Sequence, residues 1–384
     1  MNEKKKISKN AAAMIIVIAA MLILNAVSWL STGITDFYAS AIFAPMSDIF
    51  SMVTGSLPFS LGELMIASWV VMGVAAPFIF IPSIIRKKRR LVKGLGIFYI
   101  WVIIAVFFLE TINCFMLYHT TEFSAKYHHS AGASGFTVEQ LTQMCEETIE
   151  KTNELAAIVS RDDDGNMIVP DDLEKEAYKV MNKLAEEYPQ LKGEYPSPKK
   201  IKASMFMTQL DLQGIYFPFS LEANINSELS PARVPCTAMH ELSHLKGFIR
   251  EDEAGFIAYR ACLESDIPEV RYSGYLSAMN YLFAEVRKNA SANEVNRLRS
   301  RISPMVSYDN TFVSEEFRQH VEEKAVISTK TVSAVSNKHG SISETQRCIR
   351  RKKELRQNGK SSAGISLLYR GKVIIWDIFL FSLR

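Results

Sequence analysis

Apolar residues are spaced along this chain in two regimes. Residues 11–30 (AAAMIIVIAAMLILNAVSWL) contain no charged side chain. Twenty helical residues rise about 30 Å, the thickness of a bilayer's hydrocarbon core. Similar runs occupy residues 64–85 and 94–118, so the pattern predicts three membrane-spanning helices. Residues 119–136 are mostly small and polar and read as a tether. In 137–158, Val138, Leu141, Met144, Ile149 and Leu155 recur at helical spacing. A second helix opens at Pro170 and runs to about Tyr188, and 251–264, 268–289, 292–301 and 312–325 are helical by the same test. GIYFPFS (214–220) breaks the period: its aromatic residues predict a short strand, and Pro218 marks it as a sheet edge. The predicted architecture is a three-helix anchor (1–118) followed by a mostly α, α+β domain over 137–335.

Composition narrows the class. With 384 residues, 48% hydrophobic and 22% charged, the chain is neither disordered, nor collagen-like, nor a disulfide-dense mini-protein. The net charge of +3 gives no support to nucleic-acid binding, but it conceals a partition. Residues 1–118 carry ten basic against five acidic side chains, 119–335 carry 23 against 33, and 336–384 carry 11 against three. A membrane explains the first value. Lys4, Lys5, Lys6 and Lys9 precede the first run, and RKKRRLVK (86–93) separates the second from the third. The loop 31–63 has only Asp36, Asp48 and Glu63. Basic residues stay on the cytoplasmic side, so the N-terminus is expected inside and everything after Tyr118 outside. A cleaved signal peptide fits less well: the first run exceeds a signal core and no small-x-small site follows.

Four smaller features have plain readings. Glu110 is an acid within the third run, close enough to its outer end to reach water or Lys126. Cys114, Cys145, Cys236, Cys262 and Cys348 are odd in number with no CxxC pair, so no disulfide framework is visible; Cys236 and Cys262 flank the motif described below and could pair, but read better as core thiols. RDDDGN (161–166) lacks the downstream Glu of a calcium loop and reads as a turn. His128 and His129 are solvated tether residues.

Chemistry concentrates in residues 230–256, SPARVPCTAMHELSHLKGFIREDEAGF. The i, i+4 spacing of His240 and His244 sets two imidazoles on one helix face, about 6 Å apart along the axis, where both reach one zinc. Glu241 is rotated about 100° from His240, beside the open metal position, and can accept a proton from a water activated there. Ser230 is expected to cap this helix, Pro231 or Pro235 to occupy its first turn and Gly247 its C-terminal αL position. Glu251 lies seven residues beyond His244, about 10 Å further along an unbroken helix. Gly247 lets the chain turn back, so that the helical run after it can present a carboxylate as third ligand. Two His and one Glu make a catalytic zinc set.

HELSH followed by EDEAGF resembles the gluzincin metallopeptidases, whose third ligand is a Glu on the helix after the motif. That resemblance implies a zincin-like domain and maps the ligand onto Glu251, with Glu253 as second choice. Gly255 stands where those enzymes have Asp or Asn. Arg250, at the spacing of the third metzincin His, cannot ligate. Residues 10–330 are also similar to a bacterial membrane family catalogued as domain of unknown function 3810, with its aromatic segment, HELSHLKGF and EDEA. The expected function is a membrane-anchored zinc metallopeptidase: His240, His244 and Glu251 hold Zn2+, and Glu241 is the catalytic base. Its partners are a peptide or protein substrate and the lipid bilayer. Tyr216, Tyr259 and His320 are oxyanion candidates, and the 216–220 strand can pair with an extended substrate. The alternative is a catalytically inactive membrane sensor or assembly protein of the same fold. Because the motif follows the third run by about 120 residues, the site is expected to stand clear of the membrane. The basic tail 336–384 fits neither part; it reads as a lipid-surface segment or as foreign sequence after a frame change near Asn337.

Overall fold

The computed structural model of the chain describes residues 8–127 and 137–324. Three helical stretches, Lys9–Leu30, Leu61–Ile85 and Arg89–His119, are long and apolar enough to cross a membrane. Helix α1 (Lys9–Leu30) starts where the Ser8 hydroxyl accepts from the Ala11 amide. Between it and the second stretch the sequence suggested only a loop. The structure instead makes it helical: α2 (Thr32–Phe37), a π-helical turn (Tyr38–Phe43) and α3 (Ala44–Gly55). Helix α4 (Leu61–Ile85) is capped by Ser60, whose hydroxyl accepts from Glu63 N–H. A tight turn through Lys87 leads into α5 (Arg89–Glu110), which continues as a π turn and a 3-10 turn to His119.

Phe123 overturns the expectation of a loose tether for the described part of 119–136. It lies in a short helix, α6 (Phe123–Tyr127), and its ring is buried against Tyr188, Phe248 and Phe256 at 4.8–5.6 Å between centroids. Burying one aromatic ring contributes about 1.5–3 kcal/mol, which is a reason for this segment to be held on the domain. Helix α7 (Val138–Ala156) opens with a reciprocal Thr137–Gln140 capping box. Its buried face, Leu141, Met144, Ile149 and Leu155, contains four of the five apolar positions named from the sequence; Val138 is exposed. Helix α8 (Leu173–Leu184) is shorter than its pattern suggested, because the backbone from Pro170 forms a turn.

The small β component is a mixed three-stranded sheet of order β1-β3-β2. Strand β1 (Lys199–Ile201) runs parallel to β3 (Glu222–Asn226), and β2 (Gly214–Phe217) runs antiparallel to it with Tyr216 opposite Ala223. Helix α9 (Ser204–Gln209) links β1 to β2. Strand β2 is an edge, as expected, but it ends before Pro218, which cannot donate to a ladder. Helices α10 (Val234–His244), α11 (Glu251–Leu263) and α12 (Pro268–Asn289) follow, then α13 (Ala292–Arg301), α14 (Pro304–Asp309) and α15 (Glu315–Lys324). Phe256, Ile257, Ala258 and Ala261 of α11 are buried in the core shared with α7, α8, α10 and α12.

The domain is joined directly to the apolar helices. Glu222 of β3 accepts from the Leu61 and Gly62 amides at the start of α4, at 3.1 and 2.8 Å. A carboxylate at a helix N-terminus satisfies donors that the helix itself leaves open. Gly62 is needed there, since a Cβ would stand 2.8 Å from the Phe217 ring. Asn113 Nδ2 donates to the Pro218 carbonyl at 2.6 Å, and Tyr216 donates to the Asn113 carbonyl at 3.2 Å. Trp69 of α4 meets the rings of Phe217 and Phe219. A sequence separation of 120 residues therefore does not become a spatial one: the sheet beside the HELSH helix rests on the ends of two apolar helices.

Candidate metal centre

The HELSH helix enters through a 3-10 turn, Pro231–Arg233, with Pro235 in its first turn. Ser230 does not cap it as expected. Its hydroxyl donates to the Asp309 carbonyl at 2.9 Å and its amide to the Phe312 carbonyl at 3.0 Å, so a distant loop fixes the entry. At the other end Gly247 adopts φ = +89°, in the left-handed region where a side chain is strained. That turn reverses the chain, Arg250 is extended, and α11 opens with Glu251.

The result is convergence. His240 Nε2 and Glu251 Oε2 are 3.0 Å apart, and one ligand atom each from His240, His244 and Glu251 lies within 4.8 Å of the others. His244 is turned to serve: its Nδ1 donates to the Phe248 carbonyl at 2.7 Å, leaving Nε2 with the lone pair. Tetrahedral zinc with donors at about 2.0–2.2 Å needs them about 3.3 Å from one another. The exposed Glu251 side chain has the torsional freedom to close that difference, so two imidazoles and a carboxylate here could hold a zinc ion. Of the two carboxylates considered as third ligand, the structure brings Glu251 to the two histidines. Glu253 Oε1 instead accepts from Phe123 N–H and from Arg250 Nη1, both at 2.9 Å.

Electrostatics distinguish His240, Glu241 and His244. Burial lowers the pKa of both rings. At His240 the hydrogen bond to Glu251 and the charges of Glu241 and Glu251 outweigh it, pushing the imidazole up to about 9. Burial and the neighbouring His240 bring His244 down to about 4. Burial raises Glu241 to about 8, with the Glu251 charge adding to it and His240 opposing. Glu241 is buried and its Oε2 has no hydrogen-bond partner among the described residues. A buried carboxylate oxygen without a partner is expensive to maintain; here it belongs to the residue that follows His240 of the cluster. Its other oxygen lies over Gly214 of β2, where a Cβ would stand 2.5 Å away.

The remaining candidates stand outside the cluster, although the Tyr216 ring lies against that of His244 at 5.9 Å between centroids. The Tyr216 hydroxyl is bonded to Asn113 and turned toward the apolar helices. Tyr259 is buried against Tyr275, and His320 stacks on Phe317 of α15. None of the three belongs to the cluster. Lys126 donates to Gln190 at 2.7 Å rather than to Glu110. Cys236 and Cys262 are free, buried thiols. RDDDGN forms the expected turn, with Asp162 accepting from the Asn166 amide, while Arg161 pairs with buried Asp309. His128, His129, Cys348 and the tail lie outside the described residues.

Two structural residues escaped sequence reasoning. Lys246 is fully buried two residues beyond His244, where it pairs with Asp48 of α3, donates to the Glu194 carbonyl and lies over the Tyr195 ring. Arg250 donates through Nη2 to the Tyr118 and Thr120 carbonyls at 3.1 and 2.9 Å. A charged residue inside an otherwise apolar turn was the available signal for Lys246; its partner is 198 positions away.

Residues 38–337 match the model of a family described as Protein of unknown function (DUF3810). The match spans more than half of the chain, which therefore belongs to that family. No curated protein and no solved structure matches it.

Proposed function

We propose that this DUF3810-family chain is a membrane-anchored zinc metallopeptidase that hydrolyses peptide bonds outside the cytoplasmic membrane. One observation carries the reading: three metal-ligating side chains converge beside a buried glutamate whose carboxylate has an unpartnered oxygen. His240, His244 and Glu251 would hold the ion. Zinc bound there supplies Lewis acidity toward a scissile carbonyl and lowers the pKa of water. Glu241 is the general base: burial raises its carboxyl in the metal-free site, and a cation held by the neighbouring histidines would draw it back toward the working range of a proton acceptor at neutral pH. It takes the proton of the attacking water and returns it to the leaving amine. His244, held by Phe248, keeps its ring orientation throughout.

The distribution of basic residues supports the orientation. Lys4 to Lys9 and the Arg86–Lys93 cluster belong inside, which leaves the domain on the outer face. Because the domain is bonded to the apolar helices at Gly62, Asn113 and Tyr118, the test uses the full chain. Wild type and Glu241→Gln, purified in detergent, are compared for zinc content and for cleavage of an unstructured protein. Wild type should bind one zinc and cleave; the variant should bind zinc and lose at least about 100-fold in rate. Equal cleavage by both would overturn the reading. Zinc binding without cleavage by either would favour the inactive sensor or assembly protein.

A further inference from the structure

The polarity of residues 32–55 is reversed relative to a helix of a water-soluble domain. Its buried stripe is Thr35, Ala39, Phe43, Ser47, Ser51 and Thr54, recurring every three or four residues, and four of the six carry hydroxyls. Its outward face carries Ile34, Phe37, Ile42, Ile49, Phe50 and Val53, which are 47–66% exposed. In water, amphipathic helices bury the apolar stripe and expose the polar one. Small and hydroxyl-bearing residues packed inward, with large apolar ones outward, is the arrangement of a helix in lipid.

Charge placement agrees. The three acids of 31–63 are all engaged by protein: Asp36 accepts from the Thr121 amide and hydroxyl, Asp48 pairs with Lys246, and Glu63 accepts from the Ala203 amide. No Lys or Arg lies in that stretch. The face is also continuous with apolar surface at both ends. The chain enters it from α1 and leaves through exposed Phe59 into α4. Phe206, on the helix that follows the Ala203–Glu63 bond, adds another exposed ring on a segment tied to the start of α4. Scattered apolar residues are ordinary on a protein surface, but a contiguous patch of this kind marks an interaction site.

We propose that the outward face of residues 32–55 is immersed in the lipid interface, so that the domain lies on the bilayer rather than above it. The inference rests on the three apolar helices crossing that bilayer and stands whether or not the His240 cluster holds zinc. Interfacial helices bind in this way, with the apolar face sunk to the headgroup–acyl boundary. Phe37, Phe50 and Phe59 are side chains of the kind that an interfacial helix sinks below the headgroups. Arg250, which precedes Glu251, is bonded to the Tyr118 and Thr120 carbonyls at the end of the third apolar helix. The candidate metal centre therefore stands at the same boundary.

The test places single cysteines in the full chain reconstituted in lipid nanodiscs: Phe50→Cys, Val53→Cys and, just beyond the end of α7, which packs on α12, α13 and α14, the exposed Ile158→Cys. Wild type is treated in parallel to subtract its own thiols. Each is reacted with a small environment-sensitive maleimide, and emission is measured with and without lipids carrying a nitroxide just below the headgroup. Labels at 50 and 53 should be blue-shifted and quenched at least twofold by the nitroxide lipid, while the label at 158 is unaffected. Equal reactivity of all three sites toward a charged, water-soluble maleimide, with no quenching, overturns the proposal. A blue-shifted but unquenched label at 50 and 53 also overturns it, since the face is then covered by protein. Cross-linking between chains through position 50 would identify that protein as a second copy.

Discussion

The Glu241 carboxylate lies against Gly214 so closely that a Cβ on Gly214 would stand 2.5 Å from its Oε1 and 2.8 Å from the Asn224 carbonyl oxygen. The strand beside the HELSH helix thus leaves room for the proposed base only because residue 214 has no side chain. Gly214→Ala should displace Glu241 without touching a metal ligand. Expected are unchanged zinc stoichiometry and a fall in turnover of at least tenfold, read by metal analysis and a peptidase assay on one preparation.

Glu251 and Glu253 are separated by function. Glu251→Ala removes a donor from the cluster and should weaken zinc binding by more than the 10–100-fold typical of a lost supporting group. Glu253→Ala breaks the bonds to Phe123 N–H and Arg250. It should keep its zinc and instead lower the melting temperature, because a half-buried guanidinium loses its carboxylate partner. Zinc titration and thermal unfolding distinguish the two; the reverse pattern would move the third ligand to Glu253.

Gly255 faces His240, with an ideal Cβ 4.0 Å from Nδ1. The site has room for a carboxylate that would receive the Nδ1 proton and orient the ring, the support that metal-bound histidines commonly have. Gly255→Asp should tighten zinc binding by about tenfold in a competitive chelator titration. Weaker binding would show that α11 must approach the ring without a side chain at this position.

The chelated protein should lose stability as pH rises. Glu241 is raised to about 8 and His240 to about 9 in the fold, so between about pH 6.5 and 9 the native state binds more protons than the unfolded one. His244, lowered to about 4, acts in the opposite sense only below about pH 6.5. Thermal unfolding in excess chelator should show a falling midpoint across the upper window. Glu241→Gln should flatten that slope, and zinc should raise the midpoint throughout.

Features with a short repeat were readable from the sequence alone. Three uninterrupted apolar runs announce themselves because a bilayer demands about twenty apolar residues in a row. His240, Glu241 and His244 are legible because one helical turn fixes their mutual positions. The later helices from Glu251 to Asn289 follow from their 3.6-residue period. Glu251 could be placed near the two histidines because Gly247 is a recognisable turn, but Glu253 remained open because two residues of one helical turn differ only in direction. The loop 31–63 was misread for a physical reason. Its buried stripe is hydroxyl-rich and its exposed face is apolar, the inverse of the pattern that periodicity rules seek.

What the residues determine locally is therefore the set of apolar helices and the motif's donor spacing. Tertiary structure alone decided which carboxylate joins the cluster, what Glu241 lies against, and where the domain sits. Asp48 with Lys246, Asn113 with Tyr216, and Arg250 with Thr120 are separated by more than a hundred positions along the chain. No local period encodes such pairs: they form because burying the core brings distant polar groups together, and each must then find a partner or remain unsatisfied.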